Sequence, residues 1–92
     1  MNLLKTERSV AFYTIHDEQI VGKYDIDEIP DEKLFTIVIP PVDDPLLCDG
    51  YPLNRVQFKK INDILKEKII PDFNLYYYVL ESTGIYDWDM KP

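Results

Sequence analysis

The sequence predicts a small α+β domain, an antiparallel β-sheet of three or four strands with one or two α-helices packed on one face. Three observations predict this class: two β-type runs around a polar break, one amphipathic helix pattern, and an aromatic β-type run after that helix. The chain has 92 residues, 46% hydrophobic and 13% aromatic, which favours one ordered core over disorder. We therefore expect a single domain over 1–92, with a core at about 9–82 and an acidic, aromatic C-terminal tail at 83–92.

The first two β-type runs predict a hairpin. Residues 10–16 (VAFYTIH) and 20–26 (IVGKYDI) are rich in β-branched and aromatic residues. The polar sequence Asp17-Glu18-Gln19 separates them, which places the hairpin loop near residues 16–19.

Residues 30–39 fit two structures. Pro30 could open a helix whose first turn carries Asp31 and Glu32. Against this, the run FTIVI over 35–39 has strong β propensity, so propensity alone favours a strand at 34–39. Pro40 and Pro41 end the element in either case.

A proline-rich segment and a helix follow. Residues 40–53 contain four of the seven prolines together with apolar anchors, which predicts a long ordered loop rather than a linker. Asn54 then fits a helix N-cap, with Gln57 completing a capping box. The helix pattern continues to Pro71, and one face carries the apolar residues Phe58, Ile61, Ile64, Leu65 and Ile69.

The run FNLYYYVLE over 73–81 predicts a strand with aromatic residues on both faces. This pattern is typical of a central strand or of one with an exposed tyrosine-bearing face. The tail at 83–92 could add a short edge strand or pack Trp88 on the body of the domain.

Composition excludes several classes of protein. The net charge of −7 argues against a nucleic-acid binder, because phosphate neutralisation needs a basic surface. The N-terminus lacks the apolar core of a signal peptide, and no apolar run has the length of a membrane span. Cys48 is the single cysteine, so no intrachain disulfide can form, and together these features predict a cytoplasmic protein. We expect Cys48 itself to be a buried residue.

The charge is unevenly distributed along the chain. Residues 17–49 hold ten acids and two lysines, a net charge of −8, whereas residues 50–71 have a net charge of +3. Clustered acids are either a solvated face or a surface that accelerates association with a basic partner. This separation of acidic and basic segments would favour docking on a basic partner in a fixed orientation.

No motif for catalysis or for a cofactor is apparent. The acids at 25–32 lack the glycine and the regular spacing of a calcium loop, and the three glycines stand alone. His16 lies at a strand end with no nucleophile placed near it. We therefore expect no enzyme activity, no cofactor, no metal site and no small-molecule ligand.

Tyrosine is abundant, and tyrosine is enriched at the energetic centres of protein interfaces. Acidic clusters and tyrosines together could form a surface that captures a cationic protein. The candidate partner-binding residues are Asp25, Asp27, Glu28, Asp31, Glu32, Asp43, Asp44, Asp49, Tyr51, Tyr76 and Tyr78.

Three segments carry a resemblance to known bacterial domains: VGKYDI, then PPVDDPLLCDGYPLNRVQF, then FNLYYYVLES. Over about residues 12–81 the chain resembles small acidic domains of the immunity-protein type, which are encoded beside polymorphic toxins and contact-dependent growth inhibition systems. Asp43, Asp44, Tyr51 and Pro52 match the pattern of the loop. The resemblance implies a short helix at 30–36 and a protein that binds and blocks its cognate toxin, often a basic nuclease.

The leading hypothesis is therefore an immunity protein that neutralises a cationic toxin domain by protein–protein interaction, with no direct contact to nucleic acid or membrane. One alternative is an acidic nucleic-acid mimic that inhibits a DNA-binding enzyme. Another is a small non-catalytic subunit of a larger assembly.

Overall fold

The computed structural model describes residues 2–87 of the chain. Its elements are β1 (Asn2–Thr14), β2 (Ile20–Asp25), α1 (Asp31–Ile37), β3 (Tyr51–Pro52), α2 (Arg55–Ile64) and β4 (Tyr76–Asp87). The strands form one antiparallel sheet in the spatial order β2-β1-β4-β3. The predicted α+β class, with a four-stranded antiparallel sheet and two helices, is confirmed.

The long central pair β1–β4 dominates the sheet. Asn2 lies opposite Asp87 at one end of the pair, and Thr14 lies opposite Tyr76 at the other. β1 thus begins well before Val10, where the β-type run starts. Residues 83–87 continue central β4 rather than forming an edge strand, and the expected packing of Trp88 lies outside the described residues.

β4 also begins later than the predicted Phe73. Asp72 accepts hydrogen bonds at its backbone carbonyl from the amide of Tyr76 and at its side chain from the amide of Asn74. These bonds form a turn at 72–75 that delays the start of the strand.

The predicted hairpin is present between β1 and β2. The backbone N–H of Thr14 donates to the carbonyl of Gln19, and the hydroxyl of Thr14 donates to the carboxylate of Asp17. Glu18 adopts a positive φ of 56° at the tip. The loop therefore lies at 15–19, as the polar break in the sequence indicated.

Residues 31–37 form a helix, so the strand favoured by propensity at 34–39 is wrong. Leu34 and Val38 are buried in the core, four positions apart, and the amide of Val38 donates to the carbonyl of Leu34. A helix places both side chains on the core, and this tertiary packing overrides the local β propensity.

α2 has the predicted capping box but ends earlier than predicted. Asn54 and Gln57 exchange side-chain to backbone hydrogen bonds of 2.8 and 3.0 Å. The helix ends at Ile64 rather than continuing to Pro71, because the side chain of Asn62 bonds both the amide and the carbonyl of Ile69. The segment after Ile64 therefore folds back on the helix end.

The hydrophobic core lies between one face of the sheet and the two helices. Val10, Tyr78 and Leu80 face it from the central strands. The helices, the loops and the segment after α2 contribute Ile26, Ile29, Leu34, Val38, Leu47, Phe58, Ile61, Leu65 and Ile69. The opposite face carries the alternate residues of the strands, including Tyr13 and Tyr77, whose rings stack with centroids 5.3 Å apart.

Candidate functional site

A buried arginine lies at the centre of the acidic part of the fold. Arg8 alternates with Val10 along β1 and therefore points to the core face, and its side chain is only 3% exposed. Its Nε donates to Oδ1 of Asp31 at 3.1 Å. Its Nη1 donates to the carbonyl of Leu46 at 2.8 Å and to the hydroxyl of Ser82 at 2.9 Å. One side chain thus connects β1 with α1, the 40–53 loop and β4.

The guanidinium of Arg8 also contacts an aromatic ring and retains an unused donor. Its Cζ lies 5.3 Å from the centroid of Phe35, within the range of a cation–π contact. Its Nη2 is buried and has no hydrogen-bond partner among the residues that the structure describes. Arg8 is not among the site residues predicted from the sequence, although it lies two residues before Val10 and so shares the apolar face of that strand.

The backbone of Arg8 organises the turn after β2. Its N–H donates to Oδ1 of Asp27 at 2.7 Å, and its carbonyl accepts from the N–H of Ile26 at 3.1 Å. Asp25 in turn accepts the N–H of Asp27 at 2.7 Å. These carboxylates therefore have defined positions at the end of the β1–β2 pair.

Asp44 organises the loop at 40–53. Its carboxylate accepts the backbone N–H groups of Cys48 and Asp49 at 2.8 and 3.0 Å, together with the hydroxyl of Tyr51. These bonds favour the charged carboxylate, the Tyr51 hydroxyl most, and so lower the pKa of Asp44. The same bond to Asp44 raises the pKa of the Tyr51 phenol.

Two leucines of this loop differ in their role. Leu47 has a positive φ of 52° and is fully buried, so it anchors the loop to the core. Leu46 is 42% exposed. Cys48 is exposed rather than buried as predicted, because Asp44 binds its backbone amide at the surface and Leu47 fills the core position instead.

The predicted acidic residues thus lie on three segments that Arg8 ties together: the turn after β2, the first turn of α1 and the loop. We call this surface the acidic end, and its residues are Asp25, Asp27, Glu28, Asp31, Glu32, Asp43, Asp44 and Asp49. Glu32, Asp43 and Asp49 are exposed. Asp25, Asp27 and Asp44 make internal hydrogen bonds, and Glu28 accepts the backbone amide of Lys66 at 3.1 Å.

The three predicted tyrosines fall in different places. Tyr51 adjoins the acidic end, because its hydroxyl donates to the carboxylate of Asp44. Tyr76 is half-buried opposite Thr14, six residues along β4 from Ser82, which corresponds to about 20 Å.

Tyr78 does not fit the role of a surface anchor. It is 3% exposed, its ring packs against Phe12, Phe58 and Phe73, and its hydroxyl accepts the amide of Asp72. An alternating strand buries every second side chain, and Tyr78 falls on the buried face. Tyr78 is therefore a core residue.

Metal binding and membrane crossing each require a recognisable arrangement of residues. Over residues 2–87, no group of three or more His, Cys, Asp or Glu side chains is placed to hold a metal ion. Within the same range, no helix combines the length and the apolar composition that a membrane crossing needs.

The chain thus folds into a small α+β domain in which a buried arginine connects three acidic segments. The chain belongs to the family described as Domain of unknown function (DUF7683), whose model matches residues 7–81. That range includes Arg8, the turn after β2, α1 and the loop. Comparisons with curated proteins and with solved structures gave no match.

Proposed function

We propose that this domain is a cytoplasmic immunity protein that binds a cognate bacterial toxin and neutralises it without catalysis. The toxin would be a basic nuclease domain delivered by contact-dependent growth inhibition or a related system. The observation that carries the proposal is the convergence of three acidic segments on Arg8, which bonds to the carboxylates of Asp27 and Asp31 and to the backbone carbonyl of Leu46.

A rigid acidic surface suits an inhibitor of a cationic protein. Opposite charges accelerate the encounter and orient the partner, and preorganised groups lose little entropy on binding. The carboxylates of the acidic end would meet the Lys and Arg residues that a nuclease uses on the phosphates of its substrate. This competition would block the toxin.

The loop also offers apolar contacts beside its carboxylates. Val42 is fully exposed and Leu46 is 42% exposed, and both lie within four residues of Asp43 or Asp44. Binding energy concentrates where apolar or aromatic anchors enter pockets and charges surround them. Val42, Leu46 and Tyr51 are the anchors we propose.

The test begins with the protein encoded by the neighbouring upstream gene, which we expect to be the toxin. Co-expression of this domain should restore growth of cells that produce the isolated toxin domain, and the two proteins should co-purify. A neighbouring protein that is not toxic and does not bind would contradict the proposal.

Matched charge variants locate the surface. Asp43→Asn with Asp49→Asn removes two negative charges from the acidic end, whereas Glu18→Gln with Asp63→Asn removes two exposed charges elsewhere. We expect the first pair to weaken toxin binding about tenfold or more, mostly through slower association, and the second pair to change it less than about threefold. The difference should shrink at high salt because screening weakens exposed charge pairs. If both pairs of substitutions weakened toxin binding equally, the acidic end would not be part of the interface.

A further inference from the structure

We propose that the edge strand β2 is a self-association surface, across which two copies of this chain join their sheets in antiparallel pairing about a two-fold axis at Tyr24. The proposal goes beyond the proposed function and does not depend on it. It rests on the free edge of the sheet, on the direction of the backbone groups there and on the pattern of charges along β2.

β2 forms one edge of the sheet. It pairs with β1 on one side only, and all of its residues except Gly22 are exposed. An exposed edge strand presents unpaired N–H and C=O groups that can pair with another strand. At the other edge β3 has only two residues, one of them Pro52, which cannot donate a hydrogen bond. Of the two edge strands, β2 is therefore the one with the longer run of free backbone groups.

The register with β1 identifies the free backbone groups. The N–H of Ile26 donates to the carbonyl of Arg8, so this N–H points toward β1. Because backbone groups alternate along an antiparallel strand, Tyr24 also points inward, and Lys23 and Asp25 point their N–H and C=O groups outward. Any added strand must bond to Lys23 and Asp25.

Charge selects one antiparallel register for two identical strands. With the axis at Tyr24, Lys23 of one copy lies opposite Asp25 of the other, and this pair occurs twice. If the axis lay at Lys23, the two Lys23 side chains would lie opposite each other. If it lay at Asp25, the two Asp25 side chains would lie opposite each other. Cross-strand pairs of opposite charge stabilise a sheet, whereas like charges destabilise it.

The side chains of this pair lie on the same face of the sheet, and Asp25 keeps one carboxylate oxygen beyond the one that accepts the N–H of Asp27. Lys23 lies opposite Ala11 and Asp25 opposite Ser9, which places both on the sheet face away from the helices. They line a cavity of about 220 Å³ together with Glu7, Arg8, Ser9, Asp27 and Thr83. On the other face Tyr24 is 39% exposed and stacks on Phe12 with centroids 5.4 Å apart, so two Tyr24 rings would adjoin across the axis.

The first test is the mass of the unmodified protein in solution, by light scattering or sedimentation over a range of concentrations. We expect a concentration-dependent rise from the chain mass of 10.9 kDa toward about twice that value. A monomer at every concentration up to the millimolar range would overturn the proposal. If the monomer then bound the toxin through β2, the edge would be a site for a partner strand instead.

Cysteine crosslinking tests the register. Tyr24→Cys in a Cys48→Ser background places two cysteines at a non-hydrogen-bonded pair, where Cα atoms lie about 4.5 Å apart and a disulfide can form. Ile20→Cys in the same background lies on the same exposed edge, but its two copies would be more than 20 Å apart. We expect oxidation to link the first variant and not the second; equal linkage of both would overturn the register.

A charge reversal tests the pairing without a new covalent bond. Lys23→Glu would place like charges opposite Asp25 twice in the dimer, and Lys60→Glu makes the same charge change on α2. We expect the dissociation constant to rise at least tenfold for the first variant and less than threefold for the second. Circular dichroism of both variants separates loss of association from loss of fold, and equal weakening would contradict the pairing.

Discussion

Arg8 and Asp31 form an ion pair in which one partner is buried and the other is exposed. Their side chains are 3% and 55% exposed, and Nε of Arg8 lies 3.1 Å from Oδ1 of Asp31. The buried charge is therefore held by one carboxylate at the surface and by the carbonyl and hydroxyl groups of Leu46 and Ser82. The acidic end and the core are linked at this point.

Arg8→Met should destabilise the domain although it retains a long apolar side chain. The carbonyl of Leu46 and the hydroxyl of Ser82 lose their donor, so we expect a loss of about 2–4 kcal/mol in the free energy of unfolding. Urea denaturation measures it, and Lys5→Met, at a side chain that is 63% exposed, is the control. Asp31→Asn should cost less, because its amide oxygen still accepts a hydrogen bond. A loss below about 1 kcal/mol for Arg8→Met would show that the buried charge is not a stabilising link.

Asp44→Asn should alter the acid dependence of stability. The pKa of Asp44 is lower in the folded chain than its ordinary value of 3.8, so unfolding takes up a proton in acid. The stability from this carboxylate is thus present above its ordinary pKa and is lost as the pH falls through the folded pKa. We expect the free energy of unfolding of the wild type to exceed that of Asp44→Asn by a constant amount from about pH 5 to 8. Below about pH 4 this difference should shrink.

Thermal denaturation across that pH range measures this difference for Asp44→Asn. Asp43→Asn removes the same charge from the neighbouring position without removing the bonds to Cys48, Asp49 and Tyr51, so it should lower the midpoint less at pH 7. If the stability difference between the wild type and Asp44→Asn were the same at pH 3 as at pH 7, the charged carboxylate would not be the source of the stabilisation.

Lys68 should stabilise the end of α2. Its Nζ donates to the carbonyl oxygens of Asn62, Asp63 and Leu65 at 2.7 to 3.0 Å, which satisfies carbonyls that a helix end leaves unpaired. Lys68→Met should lower the free energy of unfolding by about 1–2 kcal/mol. Lys66→Met is the control, because it removes a nearby exposed lysine. An equal loss of unfolding free energy in that variant would mean that net charge, and not the bonds of Lys68, causes the effect.

Asn54→Ala should weaken the start of α2. The substitution removes the side-chain acceptor of the Gln57 amide, which costs about 1 kcal/mol at a typical N-cap. Asn54→Asp retains an acceptor and should restore most of the loss, as measured by urea denaturation. Failure of Asn54→Asp to recover stability would mean that another feature of Asn54 matters more than the cap.

Local signals in the sequence predicted some elements well. The hairpin and the capping box of α2 depend on residues within a few positions of each other, and Asn54 and Gln57 form both of their expected bonds. Local propensity failed to predict the helix α1, because that helix forms to bring Leu34 and Val38 together into the core.

The candidate site depended more on distant contacts. The acids of the site were visible as a cluster, but Arg8 lies 23 residues from Asp31 and 74 from Ser82, so no local pattern reveals that it joins them. The early end of α2 has a similar cause, since Asn62 binds Ile69 seven residues away. Tyr78 was misplaced because a strand with aromatic residues on both faces does not indicate which face is covered.

The pairing of β1 with β4 has a mechanical consequence. Asn2 and Asp87 lie opposite each other, so the two strands end side by side at one edge of the fold. A force that pulls residues 2 and 87 apart acts along the hydrogen bonds of the ladder, which lie perpendicular to the strands, and opens them one pair at a time. Such unzipping needs less force than shearing a whole ladder at once. A cellular machine that pulled on residues 2 and 87 would therefore meet little mechanical resistance, although β1 and β4 form the longest ladder among the described strands.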